Sequence, residues 1–143
     1  MRATSLTLIA AVLALLLTAG CGATAAGDAT SPPAAGDVAA AFRDHVSGVE
    51  VEGGGTVVSV LRDDTEGGRH QRFILELPSG QTILVAHNID IAPRLDGLAV
   101  GDLVAFRGVY EWNAQGGLVH WTHHDPSGGH PAGWLRWDGQ TFD

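Results

Sequence analysis

The stretch HWTHHDPSGGH, from His120 to His130, gathers four of the chain's seven histidines beside Asp125. Imidazoles and carboxylates at close spacing can hold a zinc-type ion, serve as general bases near neutral pH, or form a pH-responsive network. Strand geometry is the first constraint. Residues two apart share a face, whereas residues four apart stand about 13 Å apart, and zinc takes its nitrogens at about 2.0 Å. HWTHH contains no pair of histidines two apart. A metal site would need the chain to turn after Thr122 and to recruit ligands from elsewhere. The candidates are His87, Asp90, His120, His124, Asp125 and His130. With an open coordination position such a set would activate a water for hydrolysis, with Asp125 or Glu111 as general base. With a closed shell it would buffer or sense a divalent metal.

The same imidazoles also fit a metal-free network. Each neutral ring offers one donor and one acceptor, which carboxylates and loop amides can satisfy. Trp112, Trp121, Trp134 and Trp137 would supply the apolar walls, and strand alternation turns Trp121 away from His120. Nucleophilic catalysis finds little support, because no serine sits in a Gly-x-Ser-x-Gly elbow. EGGGT precedes a strand, so its amides do not gather at a helix N-terminus to cradle phosphate. Asp63, Asp64 and Glu66 read as a solvated hairpin tip, and Arg69, Arg72 and Arg107 as partners in ion pairs.

The elements that must position these groups follow from hydrophobic period. DVAAAFRDHVSG predicts a short helix with Asp37 as N-cap, an apolar face of Val38, Ala41, Phe42, Val46 and Val49, and Gly48 at its end. From Gly53 the period falls to two. GTVVSVLRDD, RHQRFILELPSG and QTILVAHNID predict three strands separated by turn residues. An irregular link around Pro93 leads to LVAFRGVYEWN and LVHWTHHD, a hairpin about AQGG. GWLRWDGQTFD predicts a final hairpin turning at Asp138 and Gly139. Three antiparallel strands, a link and two more strands is the order of a five-stranded OB-like barrel, an all-β (small α+β) fold. Gly53 to Gly55 would let its first strand bend. An SH3-like closure uses similar strands and stays open at this point.

The chain's two ends differ in kind. Arg2, an apolar run from Leu6 to Leu17, and small residues up to Gly20 read as a secretory signal over residues 1–20. Its end, LTAGC, resembles the lipobox of bacterial lipoproteins, with Thr18 standing where that motif has leucine. The resemblance implies a lipidated Cys21, the sole cysteine, holding the protein to a membrane on the extracytoplasmic side of the cell envelope. Ordinary cleavage, or an uncleaved anchor, is the other reading. Residues 21–36, rich in Gly, Ala, Ser, Thr and Pro, read as a flexible tether, leaving 37–143 as the folded domain. The formal charge is −8 and every basic residue is arginine. Nucleic-acid binding relies on neutralising phosphates, so this balance excludes it as a primary role.

Taken together, the segments RHQRF, GQTILVAHNIDIAPR, YEWN and HWTHHDP, followed by His130 and Gly133-Trp134, resemble a bacterial family of envelope proteins, the domain of unknown function 3465. The likeness runs from Gly53 to Phe142. It implies the domain boundaries and carries no assigned activity.

The reading that results is a lipid-anchored extracytoplasmic binding or structural module. OB-type barrels bind along the face of the second and third strands and the adjacent loops. That points to His70, Arg72, His87, Asn88 and Asp90, joined by Trp112, His120 and His124. A polar ligand with a flat face, such as a sugar or peptide, would use the tryptophans and Tyr110 for contact and the imidazoles and amide for hydrogen bonds. The alternative is a metal-dependent hydrolase or metal-binding lipoprotein built on the clustered histidines.

Overall fold

The computed structural model describes residues 36–143. The signal, Cys21 and the tether up to residue 35 lie outside the described residues. The helix α1 covers Val38–Arg43, and the Asp37 carboxylate accepts from the Ala39 amide as the N-cap should. It stops well before Gly48. His45 takes a left-handed conformation (φ 54°), while the amides of His45 and Val46 return to the carbonyls of Phe42 and Ala41. This is a Schellman closure with histidine in the place usually taken by glycine.

Seven strands follow: β1 (Val49–Val60), β2 (His70–Glu76), β3 (Thr82–Asn88), β4 (Leu103–Glu111), β5 (Leu118–His120), β6 (Trp134–Trp137) and β7 (Gln140–Phe142). The sheet runs β1-β2-β3-β5-β4, and β4 returns to β1, closing a five-stranded barrel. All pairings are antiparallel except β3 with β5, where Leu84 and Val85 stand beside Leu118 and Val119. That parallel contact and the return of β4 to β1 settle the closure as OB-like. The β6–β7 hairpin extends the far edge of β4, turning at Asp138 and Gly139 with positive φ at both residues, as a type I′ turn requires.

β1 begins at Val49, earlier than its glycines suggest, because VEVE already alternates and pairs with β4. It pairs with β4 through Thr56 and with β2 from Thr56 onward, bending at a bulge between Val57 and Ser59. At the bend a Cβ on Gly55 would sit 2.5 Å from the Glu76 carbonyl oxygen, so only glycine fits that crossing.

Alternation fills the barrel. In β2, β3 and β4 every second residue is buried, bringing Phe73, Leu75, Ile83, Val85, Val104, Phe106 and Tyr110 together with Val51, Val57, Val119 and Leu135. Each large side chain so enclosed contributes about 2–3 kcal/mol. Tyr110 belongs to this core, its hydroxyl donating to the Gly116 carbonyl, and offers no surface to a ligand. Among the described residues no helix is long and apolar enough to cross a membrane.

Candidate functional site

The face expected to bind divides into an inner and an outer set. His87 and Asn88 are consecutive on β3, so their side chains leave opposite sides of the sheet. His87 points inward and is fully buried. Its Nε2 donates to the Pro93 carbonyl at 3.0 Å and its Nδ1 accepts from the Thr122 hydroxyl at 2.9 Å. A carbonyl can only accept, which fixes the tautomer. Burial pushes the His87 pKa down to about 4, so the ring is neutral at physiological pH. Next to it, Gln71 exchanges two hydrogen bonds with the backbone of Leu95. These inward groups pin the link between β3 and β4 to the barrel wall. The expectation that His87 faces a ligand or metal is corrected, since both of its nitrogens are already committed inside.

The outer set follows from strand register. Arg72 pairs with Ala86 and His70 with Asn88, and one step beyond the Val85–Val119 contact Ala86 stands beside His120. Arg72, Ala86 and His120 therefore form one outward row, with His70 and Asn88 in the next. His70 Nδ1 donates to the Gly68 carbonyl at 3.2 Å, which leaves Nε2 as an acceptor. His120 is half-buried, and its Nε2 lies 3.6 Å from Glu111 Oε1 without a hydrogen-bond partner. Desolvation holds its pKa below the usual value, against the opposing pull of Glu111.

From Trp121 to Gly133 the chain makes a compact excursion before rejoining β4. Val109 pairs with His120 and Arg107 with Trp134, so the excursion leaves and returns on either side of Gly108. Its ends touch: the Gly133 amide donates to the His123 carbonyl at 3.0 Å, and a Cβ on Gly133 would lie 2.0 Å from the Trp121 carbonyl oxygen. Asp125 organises the interior. Its carboxylate accepts from the amide and hydroxyl of Ser127 and from the amides of Gly129 and His130. These bonds, led by those from Ser127, hold its pKa far below the carboxylate range. Asp125 is thus a loop staple, with little capacity left for a metal or a catalytic proton.

Trp121 interrupts the strand that sequence alternation extends to Asp125. Its φ is 54°, an uncommon conformation for a bulky residue, and β5 ends at His120. The left-handed residue swings the indole outward, 40% exposed, where strand alternation would turn it away from His120. Its ring centroid lies 3.9 Å from that of His130, 5.6 Å from that of His123 and 5.7 Å from that of His120. His130 Nδ1 donates to the Pro131 carbonyl, and its Nε2, 3.7 Å from Asp125 Oδ2, has no hydrogen-bond partner.

The remaining candidates have other employment. Asp90 takes the amide and the Nε of Arg69, each at 2.7 Å, and those bonds lower its pKa. Arg72 donates from Nε and Nη2 to the Arg62 carbonyl. Trp112 clamps α1, its indole donating to the Phe42 carbonyl with the His45 ring 4.3 Å away, so it stands apart from the outer row. His124 is exposed, and the hydrogen bond it makes to His123 runs through its carbonyl. Among the described residues, no three or more His, Cys, Asp or Glu side chains are placed to hold a metal ion.

The structure therefore brings together His70, Arg72, Asn88 and His120 from the expected ligand set with Trp121, His130 and Glu111, which the sequence offered as an apolar wall, a metal candidate and a general base. Period-two alternation could find the first four and Glu111. It could not find the Trp121–His130 stack, which depends on one left-handed residue and on the Asp125 turn. Chemically, the outer face offers an open indole surface at Trp121 and acceptors at His70 and Glu111, while the unpartnered Nε2 atoms of His120 and His130 are enclosed by the protein.

No curated protein and no solved structure matches the chain. The model of the family described as "Protein of unknown function (DUF3465)" matches residues 24–143, reaching through the helix to positions ahead of Gly53. The chain belongs to that family.

Proposed function

We propose that this domain is a lipid-anchored, extracytoplasmic binding module whose ligand lies on the outer face of β2, β3 and β5 and under the Trp121 indole. The observation that carries this reading is an exposed, conformationally strained tryptophan beside one polar row, with the unpartnered Nε2 of His120 enclosed next to it. Strain of this kind in a bulky residue costs on the order of 1 kcal/mol and collects at ligand sites. Arg72 and Asp90 are already engaged, so the face has acceptors to offer at His70 and Glu111, and the enclosed Nε2 of His120 joins them only when the ring turns outward. A neutral, hydroxyl-bearing ligand with a flat apolar side, such as a sugar, answers both the indole and these acceptors. The Cys21 anchor and the envelope location are part of the same proposal and rest on the LTAGC leader. The test is titration with neutral oligosaccharides, following tryptophan fluorescence in the chain and in its Trp121→Ala and His120→Ala variants. Saturable binding, weakened at least about tenfold in both variants, is expected. Binding that ignores both substitutions defeats the reading.

The two unpartnered imidazole nitrogens, of His120 and His130, favour a second reading as a divalent-metal site used for hydrolysis or metal binding. Metal analysis by mass spectrometry on untagged, chelator-free protein tests it. A stoichiometric metal lost on His120→Ala supports it, and metal-free protein whose melting ignores added zinc removes it.

A further inference from the structure

A second region, built from the first strand's edge, has no part in the proposed site. On β1, the Glu50 carbonyl and the Glu52 amide point away from β4 and are taken by Gly36, at 2.8 and 3.4 Å. The pairing of β1 with β4 is unbroken from Val49 to Thr56. Backbone groups alternate sides along a strand, so the amide and carbonyl of Gly54 face the same way as those of Glu52. Among the described residues no strand covers them: α1 turns the chain away after Gly36, and β2 begins to pair with β1 only at Thr56 and Glu76. Two adjoining cavities of about 660 and 340 Å³ open over this gap and share Gly54, Leu77 and Pro78. In the larger one Gly54 and Ala105 form a floor without bulk, Pro78 stands on one side, and Trp137 and Leu103 stand on the other. The Trp137 indole is held by Asp102, and Leu103 is 74% exposed.

Charge selects the occupant. Glu52 and Asp37 line the smaller cavity, Glu76 and Asp138 the larger. Among the described residues Arg136 is the one cation lining either, and its guanidinium lies over the Trp134 ring, 3.9 Å from the centroid. We infer that this gap binds an extended peptide bearing arginine or lysine side chains. The peptide adds as a short strand to the β1 edge at Gly54, continuing the edge pairing that Gly36 begins. Strand addition takes its affinity from main-chain hydrogen bonds, with pockets on alternate sides reading the side chains. The apolar side chains enter the larger cavity, and the basic ones meet the carboxylates at its rim.

The test uses the full chain, isotopically labelled, and an acetylated, amidated hexapeptide of alternating arginine and valine. Titration is expected to shift the Gly54 and Ala105 amides and the Trp137 indole N–H to saturation, while His120 and Trp121 stay put. A glutamate–valine counterpart, and an arginine–valine peptide with methylated backbone nitrogens, are each expected to bind at least about tenfold more weakly. Ala105→Leu, which fills the floor from an outward position, is expected to weaken binding similarly with unchanged melting. Equal binding of the methylated or the acidic peptide overturns the inference. So does a response centred on Trp121, or one produced by raising the protein concentration alone.

Discussion

The two sides of the β2–β3–β5 wall use the same residue type in opposite ways. Inside, His87 has a partner for each ring nitrogen and Gln71 satisfies both backbone groups of Leu95. On the outer side, His120 and His130 each keep a nitrogen that is enclosed and yet without a partner, beside a tryptophan in a conformation it adopts at a cost. A buried polar group left unpaired is expensive, whereas a paired one contributes modestly. The inner side chains thus secure the link between β3 and β4, and the outer ones leave capacity unused by the fold. That contrast separates histidines that build from histidines that can act.

The comparison breaks most readily at His87. His87→Ala strands the Thr122 hydroxyl and the Pro93 carbonyl and opens a cavity, so a loss of about 3–5 kcal/mol in unfolding free energy is expected by urea denaturation. His120→Ala should cost under about 1 kcal/mol. Similar losses at the two positions would abolish the distinction.

pH sharpens it next. His87 titrates at about 4 in the folded protein and near 6.5 when unfolded, so between these values the unfolded chain binds more protons. Its contribution to stability is fully present above pH 6.5 and is lost as pH falls toward 4, by about 3 kcal/mol. Melting temperatures of the chain and of His87→Gln should diverge in slope across that window, and parallel curves would show that His87 is not the titrating group. Gln71→Ala comes third. Losing both hydrogen bonds to Leu95 should lower stability by about 2 kcal/mol, with faster amide exchange in the link from Ile89 to Asp102 as the local signature.

The smallest effect has the opposite sign. Trp121→Gly relieves the left-handed strain and should leave stability unchanged or raised by about 1 kcal/mol, while abolishing binding at the outer face. A clear loss of stability would mean that the indole is part of the scaffold.

Much of the barrel was legible because period-two alternation and turn chemistry are local. The strand order, the Asp138-Gly139 turn and the Asp37 cap all come from a few neighbouring residues. Departures came where one residue outweighed its neighbours' pattern. His45 closed α1 early, and Trp121 ended β5 after three residues where alternation continues to Asp125. The outer row of His70, Arg72, Asn88 and His120 could be read from spacing. The placement of Trp112 against α1 depends on a contact 70 residues away in sequence, and the fate of Asp125 on amides that only the folded loop assembles. Grouping His87 with Asn88 ignored the alternation that governed the rest of the reading.

The excursion from Trp121 to Gly133 links β5 to β6, which lie along the same edge of β4 on either side of one glycine. Shortening it beyond His123 would ask almost nothing of β4, which pairs with β5 on one side of Gly108 and with β6 on the other, so long as Thr122 stays to hold His87. Closing such a loop costs an entropy that grows only slowly with its length. The position therefore behaves as an exchangeable cassette, able to lengthen, shorten or change composition while the barrel is inherited intact. An engineer could graft a foreign recognition loop between His123 and Gly133, keeping the hydrogen bond that joins those two residues, and expect the host to fold as before.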